Sequence, residues 1–487
     1  MARGLPAVEH LLRRAGFGAT AAERQTFDNM STTGALNYLL NYEDRPDDVD
    51  TKIGQAAYVS VFAGRQGGFA PATNIDDSRQ RWLFRMVHSG RPLQEKMALF
   101  WHNHFATAYS KLNGNVGPIQ GTKMLANKTG ETAGPQGQLE LFRQRALGNF
   151  RELLVEVAKD PAMLVWLDGR LNTRQRPQEN FGREIMELFT FGLGNYTEQD
   201  VYAAARVFTG WNLRQVGNVR DEVSSYYEFF YNAAQHDPTA KTFTFPIYRD
   251  GSTTIPARAA SAGMQDGLDF INALATHPQT ARRLAGKIWN FFVSEVLPPD
   301  EEYLKLATSI YLMNDTSIRS LVQFTLQSRW FQSPANWYSR YSWPVEYGVR
   351  AVKEVGWTGF SVEILRQQLA AMGQVLFEPP DVAGWELGQG WYSTGNVLAR
   401  MNYAATLALN QRFNLARDGA AARSSPEDLV AYFLDRLSAM SYENQPYDAL
   451  VSYLRAGGAW TGSDAQLQAK AGGLARLIVG SSEYQLM

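Results

Sequence analysis

Apolar positions recur three and four residues apart along most of the chain, the spacing of one buried helix face. In 151–159, Leu153, Leu154 and Val157 fall on one such face. Asp160-Pro161 then reads as an N-cap followed by proline at the first helical position, opening a helix over 162–167. Thr197-Glu198-Gln199-Asp200 has the form of a capping box and starts a helix that turns Val201, Ala204, Ala205 and Phe208 inward. The same period marks 180–191, 278–293, 300–313, 345–355, 362–372 and 426–440. The pattern predicts a mainly α protein, a large multi-helix domain.

Three stretches break the period. Residues 113–138 are rich in Gly, Asn, Thr and Pro, too long for an ordinary connection, and are expected to be irregular and functional, mobile or both. Residues 224–255 carry Tyr226-Tyr227-Glu228-Phe229-Phe230 and Thr242-Phe243-Thr244-Phe245 around a turn-like centre, which predicts a small β-hairpin or irregular insert. That divides the chain into an N-terminal helical part (1–223), the insert (224–255) and a C-terminal helical part (256–487). Residues 384–395 place Trp385 and Trp391 on a glycine-rich loop.

Composition narrows the function classes. The chain has 487 residues, 45% hydrophobic and 20% charged, enough to bury a sizeable core and too apolar for wholesale disorder. Lys+Arg 47 against Asp+Glu 48 gives a net charge of -1, so no basic excess points to nucleic acid. No apolar run approaches about 18 residues, which excludes a membrane-spanning helix. Cysteine is absent, removing disulfides, thiolate zinc sites, iron–sulfur clusters and thiol nucleophiles together. A cysteine-free chain suits an oxidising compartment. The first ten residues lack the apolar segment of a signal peptide, so an exported or periplasmic location requires a leader trimmed ahead of Met1.

Four constellations could carry chemistry. Phe100-Trp101-His102-Asn103-His104-Phe105 offers two histidines, but residues two apart on a helix differ by about 200°, so both reach one ion only if the helix has ended. On 179–187, Arg183, Glu187, Asn180 and Glu184 share one polar face. That face is either an ordinary solvated one or the wall of a cleft where two carboxylates, oriented by Arg and Asn, do acid/base work or ligate a metal. His236-Asp237, with Lys241 following, reads as a turn, a base with its carboxylate, or two ligands. In Glu378-Pro379-Pro380-Asp381, two prolines stiffen the backbone around Asp381, and Trp385 and Trp391 follow as a sugar-stacking floor or a plug over the core. No G-x-S-x-G elbow, P-loop, H-E-x-x-H or EF-hand loop occurs.

Together these motifs resemble a bacterial family catalogued as domain of unknown function 1800. The resemblance rests on His10-Leu11-Leu12-Arg13-Arg14-Ala15-Gly16-Phe17-Gly18, the 100–105 segment, 145–151, 179–188 with Gly192-x-Gly194-x-Tyr196-Thr197, Phe208-Thr209-Gly210-Trp211, His236-Asp237 with Lys241, and 379–385 with 398–402. It spans about 10–403 and departs from the family where Gly182 replaces the usual alanine and where Pro238-Thr239-Ala240 replaces a glycine-containing link. It implies an exported protein, often encoded beside a relative of sulfatases and phosphatases, and hence work on an extracellular polymer or surface glycan.

Three functions follow as expectations. The first is a hydrolase of a carbohydrate or surface-glycan substrate. Its acid/base candidates are Glu184, Glu187, Asp381 and His102, and its substrate contacts are Trp101, Asn180, Arg183, Trp211, Trp385 and Trp391. It needs no cofactor. The second is a metal-dependent enzyme in which His104, His236 and Asp237 hold a divalent ion such as zinc. The third is a non-catalytic binding or assembly protein of an exported system, working with a neighbour-encoded partner, whose motif side chains form buried polar networks.

Overall fold

Caps decide where the helices begin. In the computed structural model, which describes residues 7–63, 68–438 and 445–487, Asp160 accepts from the Met163 N–H and opens Pro161–Trp166. Thr197 and Asp200 bond each other's backbone reciprocally and open Glu198–Val207. Helices Pro278–Phe292, Glu301–Met313, Pro344–Val355 and Val362–Ala371 fall where the period predicts them. Met1 to Pro6, part of the amino-terminal reading, and Met440, the expected end of the helix that begins at Pro426, lie outside the described residues. The described residues form 24 α-helices and two small two-stranded antiparallel sheets, a mainly α protein.

The 113–138 stretch differs from its expectation. It holds the end of helix Tyr109–Val116 and all of Pro118–Ala126. Gly117, at φ 86°, turns the chain between them, and Pro118 sits in the first helical turn, where its missing N–H leaves nothing unpaired. Glycine content masked a junction whose Gly-Pro signature is itself a helix start. The hairpin begins earlier than 224: β1 (Trp211–Val216) pairs with β2 (Tyr226–Tyr231), Trp211 opposite Tyr231. A second pair, β3 (Lys241–Thr242) with β4 (Thr254–Ile255), follows.

One continuous apolar cluster runs through both helical parts and takes in most of the aromatic side chains. Charge goes inside as well. Arg143 bonds Glu95 at 2.9 Å, Glu140 at 2.8 Å and Asp47 at 2.8 Å, while Arg85 bridges Glu140 and Asp50. Glu346 accepts from Lys96 and, at 2.8 Å, from Arg340. Such pairs gain little net stability over an apolar core, but losing one partner costs about 3–5 kcal/mol, so they fix which arrangement forms. No helix among the described residues is long and apolar enough to cross a membrane.

Candidate functional site

Helix Pro92–His104 includes both histidines of the 100–105 segment, so they point to opposite sides and share no ion. His102 faces the loop that carries Asp381. Its Nε2 accepts the Phe377 N–H at 3.1 Å, and its ring lies against Trp82 and Trp385. Phe377 has φ 62°, a left-handed backbone that a bulky residue holds only when its surroundings enforce it. Burial, with Arg79 nearby, lowers the His102 pKa to about 3, so the ring is neutral and keeps its acceptor. Next to it, the Asn103 Oδ1 accepts the Trp385 N–H at 2.7 Å, and Gly384 (φ 88°) approaches so closely that a Cβ there would lie 2.3 Å from that oxygen. The acid/base role expected of His102 is therefore replaced by backbone support.

His104 faces the other way, toward the carbonyl end of helix Glu179–Glu187. Its Nε2 lies 3.1 Å from the Phe189 carbonyl, to which it must donate, leaving Nδ1 to accept from Lys287 Nζ at 2.9 Å. Burial, reinforced by Lys287 and Arg283, holds the His104 pKa well below its ordinary value. Lys287 is half-buried, and desolvation with repulsion from Arg283 brings its pKa down to about 7. One turn before it, Arg283 donates to the Leu188 carbonyl at 3.3 Å and lies against Gly192. Glu187 accepts from the Tyr196 hydroxyl. That bond follows burial as a cause of the Tyr196 pKa rising to about 12.

Glu184 precedes Glu187 by one turn, their Cβ atoms about 5–6 Å apart by helix geometry. It is half-buried, and no group among the described residues donates to its carboxylate. Burial first and Glu187 second raise its pKa, with Arg183 opposing. The exposed Asn180 bonds Asp168 at 3.3 Å, and Arg183 bonds Glu198 at 2.7 Å and Glu179 at 3.5 Å. The predicted polar face is thus real, but its cation is engaged within its own helix pair.

The remaining candidates lie elsewhere. Asp381 is exposed and accepts the Ala383 N–H in a local turn, with no bond to either glutamate. Trp101, Trp211, Trp385 and Trp391 are all buried: Trp101 Nε1 bonds the Ala146 carbonyl at 3.0 Å, and Trp211 covers Gly267. They are plugs over the core, and none offers a stacking face. His236 is fully buried against Thr209 and Asp266, whereas the neighbouring Asp237 turns out to Arg206 at 2.7 Å. Burial would raise the Asp237 pKa, but Arg206 and the Thr239 bonds prevail and hold it at about 2. Lys241 bonds Asp266, a buried carboxylate with no part in any motif considered above. His104, His236 and Asp237 therefore do not converge, and among the described residues no three His, Cys, Asp or Glu side chains are grouped to hold a metal.

Sequence reasoning missed Lys287 and Arg283, and had Tyr196 only as a motif residue without a role. Lys287 and Arg283 leave a signal, two like charges four residues apart on a helix whose other face is apolar. Three surface hollows, lined in part by Lys123 and Tyr226, by Arg145 and Glu152, and by Arg282 and Glu301, include none of Glu184, Glu187, His104 or Lys287.

The chain belongs to the family of proteins of unknown function DUF1800, whose profile matches residues 10–486, well beyond the 403 at which the motif resemblance stops. No curated protein and no solved structure matches it.

Proposed function

We propose that this family member is a hydrolase, acting on a carbohydrate or surface-glycan substrate at the face shared by Glu184 and Glu187. The observation that carries the reading is Glu184: a half-buried carboxyl group with no donor among the described residues, set one turn from a second carboxylate. Such a group holds its proton to higher pH and is suited to protonate a leaving oxygen. Glu187, which accepts from Tyr196, is the matching proton acceptor. Lys287, with its pKa lowered to about 7, adds a cation or neutral donor for substrate hydroxyls near the same loop. The glycan part of the proposal rests on the carboxylates and on the setting that the family resemblance implies, since the tryptophans are internal. A hydrolysis screen over polysaccharides, with wild type beside Glu184→Gln and Glu187→Gln, tests it. Loss of about 10²–10⁴-fold in Glu184→Gln with folding intact is the expected result. A folded Glu184→Gln protein as active as wild type ends the reading.

A second reading, a non-catalytic assembly protein, is favoured by one observation. Several motif side chains are tied up inside the fold, as His236 and Lys241 are on the buried Asp266, and the hollows described adjoin none of the Glu184 group. A stable complex with the neighbour-encoded protein, formed equally by Glu184→Gln, with no polymer turned over, would put this reading first.

A further inference from the structure

Helix Ala7–Arg14 buries His10, Arg13 and Arg14 completely against the 331–343 segment. His10 Nε2 lies 3.1 Å from the Phe331 carbonyl, with burial keeping the ring neutral. Arg14 Nη2 donates to the Asn336 carbonyl at 2.6 Å, but its Nε and Nη1 have no acceptor among the described residues. Arg13 lies 4.6 Å over the Tyr338 ring, and none of its three guanidinium nitrogens meets an acceptor at hydrogen-bond geometry. Arg340, in the same segment and fully buried, spends Nη1 on Glu346 at 2.8 Å and leaves Nε and Nη2 unbonded, with Glu295 3.8 Å away.

The charges do not balance here. Two carboxylates, Glu346 and Glu295, face four cations: Glu346 serves both Lys96 and Arg340, Glu295 lies 3.8 Å from Arg340, and no carboxylate among the described residues comes within 4.0 Å of Arg13 or Arg14. Among the charged neighbours of Arg14, repulsion from Arg340 and Arg13 comes ahead of attraction from Glu295 and Glu346. The buried Arg85, Arg143 and Arg350 each hold a carboxylate at 3.0 Å or closer, as Arg340 does, whereas Arg13 and Arg14 hold none among the described residues. A guanidinium cannot shed its proton at ordinary pH, so an uncompensated buried one carries its full desolvation cost. Water would satisfy the N–H groups but not the charge.

We propose that Arg14 and Arg340, with Arg13 beside them, form an internal binding site for a small inorganic anion of the halide class. The site is enclosed on every side by protein, with Arg14 and Arg340 at 0% exposure, which favours a monatomic ion over a polyoxyanion. It is independent of the glutamate face and would serve as a counter-ion that locks the amino-terminal helix to the 331–343 segment.

Two measurements on the full chain test this. Thermal unfolding is followed in sodium chloride and in sodium gluconate at matched ionic strength. Chloride raises the midpoint by roughly 2 °C or more between 1 and 100 mM, as expected for a ligand bound only by the folded state, and Arg14→Met abolishes the difference. Crystals grown with bromide show an anomalous peak within hydrogen-bond distance of Arg14 and Arg340. If Arg14→Met does not fold, the bromide peak in the wild-type protein decides alone. Identical melting in both salts, or a map with only water between the guanidinium groups, overturns the site.

Discussion

The two sides of one short segment, Trp101 to Phe105, have opposite characters. On the His102 side the motif's polar groups hold backbone: imidazole to the Phe377 N–H, the Asn103 amide to the Trp385 backbone, with two buried tryptophan rings packed around them and the Trp82 indole N–H left unpaired. On the His104 side the groups are half-open and poorly matched, with a lysine bonded to a neutral imidazole and a glutamate that lacks a donor. The 200° between the two histidines lets one helix end tie the Asp381 loop to the core while it supports the Leu188–Gly192 turn. Saturated polar groups specify structure, whereas unsaturated ones near the surface retain chemical potential for a ligand.

Unequal mutational costs would sharpen that contrast most. His102→Ala opens a cavity among aromatic rings and strands the Phe377 N–H on a left-handed residue. It is expected to lower unfolding free energy by about 3 kcal/mol. Glu184→Gln removes a like-charge neighbour of Glu187 and breaks no bond, so its effect stays within about 0.5 kcal/mol. Denaturant unfolding of both variants checks this. Equal losses would erase the distinction between a structural side and a reactive one.

What the sequence made legible follows from where the information lies. Helix starts at Asp160, Thr197 and Asp300 are written in a few adjacent residues and were readable. The impossibility of a shared ion at His102 and His104 needed only the helical repeat. The fates of Trp385 and Trp391 were not readable, because a glycine-rich loop with aromatics looks the same whether its rings face solvent or core. Lys287 was missed for a related reason. Its partner His104 lies 183 positions away, and the like charges at Arg283 and Lys287 do not say that the lysine's neighbour is an imidazole and not a carboxylate.

The next break in the comparison is by pH. Lys287 has its pKa lowered to about 7 in the folded protein against about 10.5 when unfolded. Below pH 7 both states hold the proton, and the folded state bears the whole cost of a desolvated cation. Between about 7 and 10.5 the unfolded state binds more protons, so stability rises with pH across that window. Replacement by Met removes the titration. Lys287→Met should therefore stabilise at pH 6 relative to its effect at pH 10, by about 1–2 kcal/mol once partial exposure is discounted. Parallel stability-versus-pH curves for the two proteins would show that Lys287 titrates as an ordinary surface amine and that the open side is less perturbed than the geometry indicates.

The smallest effect, and the finest probe of the open side, is at Gly182. The helix carrying Glu184 and Glu187 packs on Glu198–Val207 through this glycine, and a Cβ there would sit 3.1 Å from the Ala204 Cβ and 3.0 Å from the Ala205 nitrogen. Two effects of similar size oppose each other. Alanine gains about 1 kcal/mol of helix propensity, while contacts this short push the helices apart by a few tenths of an ångström. Gly182→Ala should therefore change stability by less than about 1 kcal/mol, with the sign set by how far Glu179–Glu187 can yield. Yielding moves Glu184 and Glu187 together and leaves His102 untouched, so any change in a glycan-hydrolysis rate at constant stability belongs to the carboxylate face. A variant that loses stability in step with activity would tie that face to the core, as closed as the side of His102.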